Sequence, residues 1–434
     1  MTRSADAVII GAGVIGSALA FELAKLGYRT LNVDKLPAAG YGSTSSSSAV
    51  VRAHYSTRAG VAMAYEGFSY WANWADYLEI GDEAGLASFA NCGSVLLKSD
   101  DGLYPKALGH YRDLGVEHED WDTETLRQAV PYYDLSRFWP PSRPDADAFW
   151  AEPAGELPGA VYTPGSGYMS DPQLATHNLQ VAAEAKGATF VFRRRVVDLL
   201  GDSAVRGVAL DDGEVIEAPI VVNVAGPHSR DVNRLAGVEA GMKIKTRPLR
   251  HEVHVLPGPR GVDLAADGFH TADGDLGIYF RPESGNTIVV GSEDPPCDPR
   301  EWADDPDEFN RLVTASHWET QAYRLAKRIP SLQVPTRMRG VADLYDVSDD
   351  WMPIYDASDR PGYFMAIGSS GNQFKNAPVA GNLMACLIDA SVNGTDHDAD
   401  PVQVKGRFTG LTLDSGAFSR NREVNEYSSF SVNG

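Results

Sequence analysis

A glycine-rich turn between a buried strand and a helix near the N-terminus, a second glycine turn heading a helix near residue 370, and alternating strand patterns across residues 247–295 together predict an α/β fold. In that fold a Rossmann-type dinucleotide-binding domain is interleaved with an α+β domain built on a mixed or antiparallel sheet. The length of 434 residues suits two domains. Nucleotide-binding elements recur at the beginning, middle and end of the chain, so the second domain must be inserted rather than appended. The expected division is 1–90, 155–246 and 336–434 for the nucleotide-binding domain, with 91–154 and 247–335 forming a substrate domain.

Taken in order, Ala7–Ile10 is a short apolar run of the kind a fully buried parallel strand shows. Ala18, Leu19, Phe21, Leu23, Ala24 and Leu26 then give one apolar helical face, ended by Gly27, and Leu31–Val33 supplies the next strand. Residues 40–48 form a small-residue loop, and 61–80 read as an aromatic-rich amphipathic helix. Residues 131–165, rich in proline and aromatics, read as a long excursion. A helix is expected over 172–186 and a strand over 189–192. Val196–Leu200, 207–211 and 213–216 then read as a meander turned at Asp211-Asp212-Gly213. Further strands are expected at 220–224 and 363–367, with helices over 306–328 and from the late glycine turn to about residue 390. The last 35 residues carry no recognisable chemistry.

Acidic residues outnumber basic ones 59 to 38, a formal net charge of −21, which argues against a nucleic-acid partner. Cys92, Cys297 and Cys386 are sparse and unpaired in spacing, so neither a disulfide framework nor a metal site is expected. Gly11, Gly13, Gly16 and Glu22 interrupt the first apolar stretch, which therefore reads neither as a signal peptide nor as a membrane span. The expectation is a cytoplasmic protein without membrane or metal.

Gly11-Ala12-Gly13-Val14-Ile15-Gly16 sits between strand and helix, the context that gives this spacing its meaning. Gly11 permits the tight turn, Gly13 admits the pyrophosphate to the backbone, and Gly16 lets helix and strand close up. The phosphates would meet free N–H groups and the positive end of the helix dipole. Asp34, with Lys35 beside it, ends the second strand where a carboxylate accepts from ribose hydroxyls. Three features favour FAD over NAD. Nucleotide-binding elements return late in the chain. The strand-turn at 221–226 ends in the small residues Ala225 and Gly226. Gly368, Gly371, Asn372, Gln373, Phe374 and Lys375 place another glycine turn at a helix start. A helix N-terminus there would stabilise the negative charge a flavin ring gains on reduction.

The chain from about residue 5 to residue 390 resembles the glycine, sarcosine and D-amino-acid oxidase family of flavoproteins, especially monomeric and beta-subunit sarcosine oxidases. The resemblance is carried by GAGVIGSALAFELAKLG, GSTSSSSAVVRAHYS, YTPGSGYMSDP, VVNVAGPHS, GIYFRPESG, DLYDVSDDWMPI and GSSGNQFKNAPVAG. It implies FAD contacts from Ser43, Thr44, Ser45, Ser48, Ala49 and Val50, and from Val196 and Val197 at the start of the meander. It also implies that Arg52 and Lys375 hold a substrate carboxylate, a bidentate fork beside a point charge. His54 and Tyr55 flank Arg52. Tyr345 matches a family active-site tyrosine, and its pattern equally suits a core tyrosine. His251 and His254 share one strand, as do Tyr279 and Arg281, each pair placed either to face a pocket or to stabilise a sheet.

The activity implied is oxidation of the C–N bond of a small secondary or tertiary amino acid to an imine that hydrolyses, FAD supplying the redox chemistry. Alternatives are a flavin dehydrogenase of a hydroxy acid and a flavin-bearing subunit of an electron-transfer assembly. Two departures matter. Asp343 stands where relatives with covalent flavin carry a cysteine, which implies non-covalent FAD. Val289 stands where monomeric oxidases place a lysine that promotes reaction with oxygen, so oxygen and an electron-transfer protein both remain acceptors. The partner implied is a small amino-acid-like substrate bearing a carboxylate; the oligomeric state is left open.

Overall fold

The six-stranded sheet at the heart of the computed structural model, which describes residues 2–434, orders its strands Thr189–Phe192, Thr30–Asp34, Ala7–Ile10, Ile220–Asn223, Tyr363–Ile367 and Ile354–Ala357. The first five run parallel and the last is antiparallel. Residue 1, where the first expected segment begins, lies outside the described residues. Ala7 and Ile9 face a core shared with helices Val14–Lys25, Pro172–Ala185 and Ala377–Val392. Val8 and Ile10 face a second core under the meander. Both faces of the strand are covered, which is why its residues read as one unbroken apolar run.

The meander Val196–Leu200, Gly207–Leu210 and Val215–Glu217 takes Thr2–Ser4 as its fourth strand. A nine-stranded sheet holds the 12-residue strand Thr246–Pro257. It pairs with Thr287–Ser292 and Gly340–Ser348; the sheet continues through Ile278–Glu283, His270–Asp273, Ser94–Leu97, Ala160–Thr163 and Glu119–Trp121. Ala160–Thr163 and Gly340–Ser348 thus bond into this sheet from sequence segments assigned above to the nucleotide-binding domain.

The helix expected over 306–328 forms only from Ala315 to Arg328, because the Thr314 hydroxyl accepts the His317 N–H and caps it there. The aromatic helix likewise divides at Asn73 into Arg58–Ala72 and Trp74–Leu78. Trp318, Ala322 and Leu325 bury the apolar face of Ala315–Arg328 against Leu256, Ile278 and Val290 of the large sheet.

Arg328 ends that helix fully buried, with Nε 2.8 Å from Asp273 and Nη2 3.0 Å from Asp275. It also donates to the carbonyls of Asp134 and Ser136. Arg328→Ala leaves two buried carboxylates without their cation and is expected to destabilise the fold by about 3–5 kcal/mol, read as a shift in denaturant midpoint.

Candidate active site

At the C-terminal ends of the parallel strands the glycine turn leaves no room for side chains. Gly11 adopts φ +119°, and a Cβ there would lie 2.3 Å from the Val224 carbonyl oxygen; one at Gly16 would lie 2.4 Å from the Gly11 oxygen. Helix Val14–Lys25 starts at Gly13 with no side-chain cap and no acid in its first turn, Val14 and Ile15 leading it. Of its first N–H groups Val14 N donates to the Thr44 hydroxyl at 3.2 Å, and such a helix start suits an anion. Asp34 accepts from Ala12 N and Leu36 N, each at 2.8 Å, and each carboxylate oxygen keeps lone-pair capacity for a hydroxyl. Lys35 lies 2.7 Å from His228 Nε2 and pairs with Asp307. Ala225, whose N–H donates to Asn223 Oδ1, and Gly226 close the adjoining strand. Val196 is buried at the start of the meander, whereas Val197 sits at its bulge, 43% exposed. An uncapped helix N-terminus, a cradle that any Cβ would fill and a carboxylate one strand over fit a dinucleotide.

Two strained backbones mark where this cradle meets the rest of the molecule. Ala49 takes φ +50° and Ser370 φ +45°, left-handed conformations that cost a non-glycine residue about 1–2 kcal/mol. Ser46 donates to Asp343 at 2.7 Å and Ser43 lies 3.5 Å from it, while Ser45 bonds back to the Gly42 carbonyl. The Asp346 carboxylate accepts from Gly368 N at 2.7 Å and pins the late turn; a Cβ on Gly371 would meet the Tyr345 ring.

Ser48, Val50, Arg52, Gly371, Asn372, Phe374 and Lys375 line one cavity of about 40 Å³. Gln373 lies just behind, its Oε1 accepting from Tyr355 at 2.9 Å. Arg52 is 6% exposed, stacks 5.0 Å from the Tyr55 ring, and burial pulls its pKa down from the ordinary value. Lys375 donates to the Asn372 carbonyl at 2.6 Å and lies 4.6 Å over the same tyrosine; burial and then Arg52 push its pKa well down. His54 offers Arg52 its carbonyl, while its ring stacks on His270 at 5.8 Å with neither nitrogen hydrogen-bonded, kept neutral chiefly by burial. Tyr345 stacks on His251 at 4.1 Å rather than lining the cavity. His251 and His254 are three residues apart and point to opposite faces of their strand: His251 reaches Asp294, and His254 packs edge-on to Trp318. Tyr279 and Arg281 both reach back to Ser48, the first hydroxyl-to-hydroxyl at 3.2 Å, the second donating to its carbonyl at 2.7 Å.

The same cavity holds residues that the sequence pattern does not single out. His270 and Glu293 come from the large sheet, Val432 and Asn433 from the end of the chain. The last four residues are all buried. Arg52 Nη2 donates to the Val432 carbonyl at 2.6 Å, Ser56 N donates to the Asn433 carbonyl at 2.9 Å, and the Ser56 hydroxyl donates to the Gly434 carbonyl. The arginine expected to hold a carboxylate is therefore engaged by main-chain oxygens.

A dinucleotide cradle opening onto a buried cationic cavity defines a redox enzyme that works through a bound nucleotide. Its chemistry is set by which dinucleotide the cradle takes. The chain belongs to the family described as FAD dependent oxidoreductase, whose sequence profile matches residues 6–387. It is similar to a glycine oxidase of Geobacillus kaustophilus, 26% identical over 91% of this chain and 96% of that protein. It is also similar to the mouse FAD-dependent oxidoreductase domain-containing protein 1, 24% identical over 89% of this chain and 81% of that one. Among solved structures it shares its fold with an L-proline dehydrogenase from P. horikoshii, at TM-score 0.73 and 22% identity, covering 90% of this chain and 95% of that one. The structure of glycine oxidase from Geobacillus kaustophilus superimposes at 0.72 over 98% of this chain and 100% of that one, at 20% identity. Among the described residues no helix is long and apolar enough to cross a membrane.

Proposed function

We propose that this FAD-dependent enzyme oxidises the C–N bond of a small secondary or tertiary amino acid to an imine, which water then hydrolyses. The observation that carries the reading is the meeting of Arg52 and Lys375, distant in sequence, in one cavity with Ser48, Val50 and the Gly371–Phe374 turn. A forked and a point-like cation lining one buried cavity hold a carboxylate and thereby orient the carbon that loses hydrogen. FAD, when bound, supplies the two-electron acceptor. The similarity to a glycine oxidase and, in fold, to an L-proline dehydrogenase supports amino acids as the substrate class.

The segments 1–90, 155–246 and 336–434 hold the cofactor in this reading, while 91–154 and 247–335 form the substrate domain, the latter supplying His270, Tyr279 and Glu293. FAD is held without a covalent bond: Asp343, tied to Ser46, occupies the position of the linking cysteine, and no cysteine lines the cavity. Val289, 5% exposed and apolar, favours an acceptor other than oxygen, an electron-transfer protein included. All three cysteines are free, in keeping with a cytoplasmic location.

Anaerobic titration of the yellow holoenzyme with N-methylglycine and its N-alkyl relatives is the test. Bleaching of the oxidised flavin band is the expected result, and admitting air then separates oxidase from dehydrogenase. A flavin that dithionite reduces and no amino acid in the panel does would overturn the reading in favour of a hydroxy acid.

A further inference from the structure

Most buried acids in this protein are paired with a cation. Glu252 meets Arg250, Asp273 and Asp275 meet Arg328, Asp350 meets Arg422 and Asp356 meets Arg420. Among the described residues Glu66, Asp346 and Glu293 have no cation; Glu66 accepts from the Phe408 and Thr409 N–H groups and Asp346 from that of Gly368, whereas Glu293 faces a cavity. Glu293 follows strand Thr287–Ser292, its own N–H fixed to the Gly277 carbonyl at 3.0 Å, and it is 7% exposed. Its carboxyl group lines the cavity of Arg52 and Lys375 and forms no ion pair among the described residues.

We propose that Glu293 is the residue that recognises the substrate's amine, taking the ammonium end of an amino acid whose carboxylate lies on Arg52 and Lys375. The assignment rests on the amino-acid reading given above. Two cations and one acid around a single cavity form the complement of a zwitterion, and a buried acid without a cation is costly until a ligand brings one.

The charges around it agree with this role. Asp101 and Asp273 raise the pKa of Glu293 and Arg52 lowers it; burial is the largest influence, and together they push the acid up to about 8. Asn433 faces it from the chain's last segment, and His270, Tyr279 and Lys375 are, with Arg52, the other titratable residues of the lining. His270 and His54 are both held neutral by burial, so neither competes as the acid's counter-charge. With a secondary or tertiary ammonium bound, Glu293 also accepts its proton: one N–H bond breaks, one O–H bond forms on the carboxylate, and no electrons are transferred. The amine nitrogen is left with the lone pair that C–H oxidation requires.

The test compares two isosteric ligands on the FAD-loaded protein. Trimethylglycine carries a fixed positive charge and has no lone pair to oxidise; 3,3-dimethylbutanoate has carbon in place of that nitrogen. Binding of each is read from the perturbed absorbance of the oxidised flavin. The wild type is expected to prefer the cationic ligand by about tenfold or more at about pH 9. That preference should fall as the pH drops through the Glu293 titration, because protonation removes the negative charge. Glu293→Gln should abolish the preference while leaving 3,3-dimethylbutanoate bound, and Glu293→Asp should restore part of it. An equal preference in wild type and Glu293→Gln overturns the assignment alone. Failure of both ligands to bind the wild type overturns the carboxylate site and the amino-acid reading with it.

Discussion

Arg52→Ala is expected to lower kcat/KM for an N-alkyl amino acid by about 100-fold or more, the equivalent of the 2–5 kcal/mol lost when one partner of a buried charge pair is removed. Arg52 is 6% exposed, so bulk water does not make good the hydrogen bonds it would give a carboxylate. Its partner Lys375 is a weaker candidate for the whole task, because burial and Arg52 both disfavour its charged form. Lys375→Met should therefore cost less, about tenfold, and principally in KM. The decisive comparison is with a substrate that lacks the carboxylate. If the clamp operates, Arg52→Ala leaves the rate with a simple secondary amine nearly unchanged while the amino acid loses its advantage. Equal losses for the two substrates would mean that Arg52 acts through the fold, by anchoring Val432 and His54, and not through the substrate.

Local pattern made the nucleotide end of this protein legible. Ala7–Ile10 and Ile220–Asn223 are buried on both sides, so each strand is written as a short apolar run, and Gly11 and Gly16 stand where backbone oxygens exclude any Cβ. Arg52 and Lys375 were singled out for a different reason, the resemblance of the segments that carry them; both line one cavity, where each donates to a main-chain carbonyl. Glu293 left no such trace. It follows the end of a strand in Ser-Glu-Asp-Pro-Pro, a composition that reads as a solvated turn, and only tertiary burial makes it unusual. His251 and His254 illustrate the opposite error. Sharing a strand is not sharing a face, and a separation of three residues puts one ring on Tyr345 and the other on Trp318. The segment after Ser428 offers only Phe430 and Val432 among polar residues, too short an alternation to mark it as interior; it is held by Val432 packing on Leu249, Val347 and Trp351 and by hydrogen bonds to Ser56 and Arg52, residues far back in the chain.

That segment has a large expected effect of its own. The cavity is small, about 40 Å³, and Val432, which helps to line it, offers its carbonyl to Arg52 Nη2 at 2.6 Å. A substrate carboxylate must therefore take the place of that carbonyl, and its apparent affinity is reduced by the fraction of molecules in which the segment is seated. Hydrogen bonds to a charged group contribute about 1.5–3 kcal/mol, so removing residues 428–434 is expected to lower KM by about tenfold or more, with little change in kcat. Stopping the chain at Tyr427 keeps Arg420 and Arg422, whose pairs with Asp356 and Asp350 fasten the preceding loop, so the fold should survive the cut. Steady-state kinetics on the truncated and full-length holoenzymes decide the matter. A lower KM identifies the segment as an internal competitor for the carboxylate site. A higher KM, with Arg52 still folded in place, would instead make Val432 and Asn433 part of the wall against which the substrate packs.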